Sequence, residues 1–273
     1  MLCPRQGTFF VGEDGMLIRH MNKNARSIFA GLCLAALLSP VAQAKVLVGE
    51  VDHSETLQPL DPSLAVGEIF APSKLPTIEQ APANKWYRIP DWLAGTWHKD
   101  SQTDYYRYNF KTNATDTTTR TEPAKATGTW GTQRDDKGTI WQFDPAPFTA
   151  TVDSGDDFVV QMVRTSEPVD VTDKKFVRRS IDTQIRVSKV NGVIKSVESG
   201  EQITTYRPEG DALIKRETSA KVFDPEGQPI LLGKSFAYEN RVNSFAPQDM
   251  YKGKDMKKLF QEFLSRETAS AAP

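Results

Sequence analysis

Cysteine is nearly absent from this chain: there are two in 273 residues, Cys3 and Cys33. Both precede Lys45, so a product beginning there has no thiol, no disulfide and no thiolate metal site. Histidine is also scarce, at three. The two beyond residue 44, His53 and His98, are far apart and single out no metal-ligand spacing. An excess of one charge is missing too, with 34 Lys and Arg against 35 Asp and Glu, a net of −1. That balance excludes a strongly basic nucleic-acid binder and a long acidic tail. No apolar run reaches the roughly 20 residues of a membrane helix. No phosphate-cradling glycine loop occurs, and no repeat announces a solenoid or propeller. The expectation is a protein without cofactor or metal, and not an enzyme.

What is present begins with an export signal. Met21 to Arg26 is a short basic stretch, Ile28 to Leu38 an apolar one, and Ala42-Gln43-Ala44 a small-residue cleavage site. Residues 1–20 carry no targeting logic of their own, so translation is expected to start at Met16 or Met21. Cys33 follows Leu32, not the small residue that lipidation wants. The chain therefore divides into a leader and secretory signal at 1–44, a Pro-rich extended arm at 45–85, a β-domain at 86–245, and a C-terminal helix and tail at 246–273. Its destination is periplasmic or extracellular. No transmembrane segment remains after the signal is removed.

The arm carries Pro59, Pro62, Pro72, Pro76 and Pro82, a density that forbids a long helix and discourages a central strand. Its apolar patches, Leu64 to Val66 and Ile69-Phe70, favour docking onto the β-domain. From residue 86 onward, alternation dominates. Val177, Ile181, Thr183, Ile185 and Val187 fall on one face of a strand, with Arg179 as the misfit. Asn191-Gly192 then reads as a type I′ hairpin turn. Ser199-Gly200, Pro208 to Asp211 and Pro225 to Gly227 read as further turns. Tyr106, Tyr108 and Phe110 alternate upstream, as do Phe148, Ala150 and Val152. The Thr-rich stretch Thr112 to Thr127 fits a β-branched strand or a loose loop equally well.

About nine or ten strands at meander spacing come before one helix. Met256, Leu259, Phe260, Phe263 and Leu264 form its apolar stripe, and Asp255 is placed to cap it. Closure of such a meander removes exposed edges, so the expected fold is an all-β antiparallel barrel with a C-terminal amphipathic helix. An open sandwich is the competing arrangement.

The segment Ile89-Pro90-Asp91-Trp92-Leu93-Ala94-Gly95-Thr96-Trp97 resembles the opening of lipocalin-like (calycin) barrels, where a short helical turn leads into a Gly-x-Trp on the first strand. In that family the Trp plugs one end, and an Arg from the last strand packs over it. The resemblance implies that Arg241 meets Trp97. Gly128-Thr129-Trp130 repeats the Gly-x-Trp, and Thr103-Asp104-Tyr105 resembles the family's second motif but follows the first strand.

All five Trp residues lie between positions 86 and 141. They serve either as ordinary core or as the lining of a pocket for a small hydrophobic ligand. The candidate ligand-binding set is Trp97, Tyr106, Tyr108, Trp130, Trp141 and Arg241. Other motifs are weak. Gly233 to Ala237 lacks the final glycine of a nucleophile elbow. Asp153-Ser154-Gly155-Asp156-Asp157 lacks the ladder of a calcium loop. Arg178 and Arg179 point to opposite strand faces and make no single basic patch. The functional expectation is an exported, non-enzymatic ligand-binding barrel. The alternative is an accessory protein that docks onto a cell-envelope partner.

Overall fold

A computed structural model of the protein describes residues 52–75 and 85–270. The export signal lies outside the described residues. Twelve strands carry the architecture: β1 (Lys85–Arg88), β2 (Gly95–Asn109), β3 (Ala114–Asp116), β4 (Arg120–Trp130), β5 (Gln133–Arg134), β6 (Ile140–Asp144), β7 (Phe148–Ser154), β8 (Asp157–Thr172), β9 (Lys175–Ser188), β10 (Ile194–Gly210), β11 (Leu213–Phe223) and β12 (Pro229–Ser244). One helix comes after them, α1 (Met256–Ser270), and no helix among the described residues is long and apolar enough to cross a membrane.

The main sheet is antiparallel throughout. It runs β2-β12-β11-β10-β9-β8-β7, with β3 and β4 both paired to the free side of β2. The first long strand thus pairs with the last, as a closed meander requires. Closure itself is absent: among the described residues no ladder joins β4 to β7, and the expected barrel stays open at this one seam. The cause is a detour. After Trp130 the chain leaves the main sheet to build a small sheet, β1-β6-β5, and only then returns as β7.

The sheet is nonetheless strongly curled. Five strand spacings separate β4 from β9, roughly 24 Å on a flat sheet. Yet Trp130 on β4 lies 5.3 Å from the Phe176 ring on β9, centroid to centroid. This contact defines an inner face, shared by Trp97, Trp130, Phe176, Tyr206 and Ile214.

The outer face of β8, β9 and β10 carries Val160, Met162, Ile185, Val187 and Val197, and the arm covers it with Leu60 and Leu64. The alternation read at Val177 to Val187 is therefore correct in period, but its apolar side faces the arm and not the inside of the curl. Residues 52–75 lie along this face through scattered backbone bonds, such as Leu57 N–H to the Gly227 carbonyl and Phe70 N–H to that of Gly192.

Two local expectations change, and one left open is decided. Ser199-Gly200 is no turn, because Gly200 pairs with Asp182 on one side and Val222 on the other in mid-β10. At Asn191-Gly192 only the glycine has positive φ, +71°, in a loop wider than type I′. The Thr-rich stretch is mostly strand, as β3 and β4. The helix forms with the expected face and cap, Lys258 N–H donating to Asp255 Oδ1 at 3.0 Å. It packs on the small sheet, against Trp86, Trp141 and Phe143.

Candidate functional site

The plugged end of the curl assembles from the Gly-x-Trp segment. Gly95 is required there: it sits at φ +134°, and a Cβ would come within 2.7 Å of the Asn243 carbonyl oxygen on β12. That close approach sets Trp97 directly opposite Arg241 in the β2·β12 register. The Trp97 side chain is buried, and its indole N–H donates to the Leu93 carbonyl at 2.7 Å. Arg241 lays its guanidinium 4.6 Å from the Trp97 ring centroid and donates to the Trp92 carbonyl at 2.7 Å. A cation over an indole face at a half-buried site is worth about 0.5–2 kcal/mol. The turn at residues 91–93, the first strand and the last are tied by this one arginine.

Trp130 continues the plug. Its ring meets Tyr206 edge-on at 5.1 Å, and the Arg178 guanidinium lies 5.4 Å from it. Beside it opens a cleft of about 770 Å³ between the end of β4, the small sheet and the segment after β12. Trp130, Phe143, Pro145, Pro247 and Tyr251 give it apolar walls, while Thr132, Gln142, Arg178 and Gln248 supply polar groups. The volume falls in the range of small-molecule sites.

The six candidate residues therefore do not form one site. Trp97, Trp130 and Arg241 converge at the plug. Trp141 belongs to the helix-facing core, where its indole N–H donates to Asp135 Oδ2 at 3.0 Å. Tyr106 and Tyr108 lie toward the other end of β2, opposite Lys234 and Leu232. Lys234 Nζ sits 5.2 Å from the Tyr106 centroid, and the Tyr108 hydroxyl donates to Asn113. The odd spacing of the bulge between Lys234 and Ser235 puts Tyr105 beside Phe236, at 6.1 Å, with Tyr238 next in line.

Inside the curl, deeper than the plug, polar groups replace aromatics. Asp182 is buried on β9 and accepts from the side-chain amides of Gln161 at 2.7 Å and Gln184 at 3.0 Å. Burial pushes its carboxyl up to about 6, against the opposing pull of those amides and of Arg164.

Sequence reasoning missed one cluster entirely. His53, from the arm, stands between two strands of the outer face. Its Nδ1 lies 2.8 Å from Glu201 Oε2 on β10, and its Nε2 lies 2.9 Å from Ser219 Oγ on β11. The spacing is that of a serine–histidine–carboxylate triad. Access is not: Ser219 and Glu201 are wholly buried, and the histidine arrives on the very segment that covers them. Lifting the arm to admit a substrate would carry the base away. Glu201 also accepts from Ser54 N–H at 2.7 Å, from the Ser54 hydroxyl at 3.0 Å and from Arg179. Burial raises this carboxyl, but the hydrogen bonds from His53, Ser54 and Arg179 and the charge of His53 outweigh it and hold it at about 2. The misfit Arg179 thus has its partner across the strand. No sequence signal pointed to this, because His53 sits 148 residues from Glu201. Among the described residues no three His, Cys, Asp or Glu side chains gather as a cation site.

Comparison with known proteins finds no matching family model, no matching curated protein and no matching solved structure.

Proposed function

We propose that this is an exported, non-enzymatic binding module, a calycin-like barrel opened at one seam, that takes a small and largely apolar ligand in the cleft beside Trp130. The observation that carries the reading is the cleft itself, about 770 Å³ at the plugged end of the curl, where aromatic and proline side chains stand among threonines, Asn243 and two glutamines. The mixed lining favours a ligand with an apolar body and a carbonyl or hydroxyl group, since buried amides and hydroxyls discriminate by hydrogen bonding. The barrel reading draws support from the strand order, in which the first long strand pairs with the last, and from the Arg241 contact with Trp97. The non-enzymatic reading draws support from the seclusion of Ser219.

The experiment is a titration with N-phenyl-1-naphthylamine, followed by probe emission. Saturable enhancement is expected in the wild type. Ala246→Phe, at an exposed position on the cleft wall, should weaken it at least tenfold without lowering the melting temperature. Non-saturating emission, or emission indifferent to Ala246→Phe, would overturn the reading.

A second reading, docking onto an envelope protein, is favoured by the run Tyr105, Phe236 and Tyr238, of which Tyr238 is 48% exposed. Tyr238→Ala would then abolish co-purification with that partner and leave probe binding intact.

A further inference from the structure

Among its described residues, 52–75, the arm carries no regular strand beyond one isolated bridge, Ile69 to Val193. Its backbone is held to the sheet at Leu57, Leu60, Gly67, Glu68 and Phe70, few anchors for a segment of this length. Prolines at 59, 62 and 72 lower the number of N–H groups available for more. Side chains supply the rest, at two places. Leu60 and Leu64 fill the apolar outer face of β8 to β10. His53 and Ser54 close on the buried Glu201 carboxylate, and Lys221 Nζ adds a bond of 2.7 Å to the Ser54 carbonyl.

We infer that residues 52–75 are a strap, latched at one end by Glu201, that opens as a unit while the curled sheet stays folded and so uncovers the apolar outer face of β8, β9 and β10. The inference goes beyond the ligand reading and does not depend on it.

Two features carry it. First, the sheet beneath is paired strand to strand from β2 to β7 without using the strap, so no ladder of the main sheet is lost when the strap lifts. Second, the latch concentrates its binding in one carboxylate. Glu201 accepts from the His53 ring, from Ser54 N–H and hydroxyl, and from Arg179, which also donates to the Ser54 hydroxyl at 2.7 Å. Losing the charge on that one side chain weakens every one of these at once. Low-stability units of this kind, with few backbone bonds and a localised fastening, are the ones that open locally.

The surface that would appear is not ordinary. Val160, Met162, Ile185, Val187 and Val197 are each at most 3% exposed beneath the strap, and together they make a continuous aliphatic face across three strands. The Glu201 carboxyl is held at about 2, below its unfolded value of 4.5, so its contribution is in full force above pH 4.5 and is lost progressively as pH falls from there through about 2.

Amide hydrogen exchange on the full exported chain, with the fluorescence of 8-anilinonaphthalene-1-sulfonate, tests this. In the wild type the amides of Leu57, Leu60, Gly67 and Phe70 should exchange at least tenfold faster than those of β9 and β10. Glu201→Gln should accelerate the strap amides a further tenfold or more and raise the dye emission, with β9 and β10 amides unchanged. Strap and sheet amides exchanging at one common rate in the wild type would overturn the inference, since the strap would then open only with global unfolding. Should Glu201→Gln fail to fold, His53→Ala replaces it; unchanged strap exchange in that variant would equally overturn the latch.

Discussion

Two aromatic clusters hold this protein, and they are built on different principles. The plug gathers Trp97, Trp130, Phe176 and Tyr206 from β2, β4, β9 and β10. These strands form two neighbouring pairs, β2 with β4 and β9 with β10, set apart in the sheet, and the rings of the two pairs meet because it curls. The second cluster packs Trp86, Trp141 and Phe143 of the small sheet under Met256 and Phe260 of α1. There a helix simply covers a sheet, ring against ring, with Trp86 and Phe260 centroids 4.8 Å apart. Equal aromatic content need not mean equal cooperativity. The plug fixes curvature and therefore the whole strand order, whereas the helix cluster fixes only its own corner.

The contrast breaks most sharply at Trp97. Trp97→Ala should cost about 3–5 kcal/mol, and urea unfolding should show the entire main sheet losing stability together. If only the residues next to position 97 lose exchange protection, the plug is no more cooperative than any other core patch.

Phe260→Ala should cost about 3 kcal/mol at most, since Phe260 is 5% exposed and its neighbours Leu259 and Phe263 keep part of the contact. The distinguishing measurement is hydrogen exchange: α1, β5 and β6 should lose protection while β9 to β12 keep theirs. Loss of protection in both regions would merge the two clusters into one cooperative unit.

A smaller and opposite effect is expected deeper inside the curl. Burial raises the Asp182 carboxyl to about 6 from 3.8, so the folded state binds a proton more readily than the unfolded chain. Stability therefore falls as pH rises from about 4 to 6 and is level above that. Asp182→Asn keeps an acceptor for the Gln161 and Gln184 amides and removes the buried charge. It should raise stability at pH 7.5 by roughly 1–3 kcal/mol and leave it unchanged at pH 3. A destabilised Asn variant at pH 7.5 would show instead that Arg164 needs the carboxylate.

Much of this could be read from residue order. Local rules wrote the alternation of β9, the turn at Pro225 to Gly227, and the helix with its Asp255 cap, because each depends on neighbours within a few positions; the turn expected at Pro208 to Asp211 falls at Asp211-Ala212, with Pro208 to Gly210 still paired in β10. The meeting of Trp97 with Arg241 was also legible, but through resemblance to a family pattern, not from any local rule. The scatter of Trp141, Tyr106 and Tyr108 away from the plug was not. Aromatic spacing along a chain carries no information about which sheet, or which face of it, a ring will join.

By itself, then, the sequence determined the alternation of several strands, some of the hairpin turns, the helix and its apolar stripe, because periodicity and turn chemistry act over a few residues. Only the tertiary structure decided which side of the alternating strands turns inward, since period two distinguishes two faces without naming the concave one. It also decided that the detour through β5 and β6 leaves the barrel open at one seam. And it brought His53 to Glu201 and gave Arg179 its partner, because a buried carboxylate takes whatever donors the folded chain carries to it, however far apart they stand in sequence.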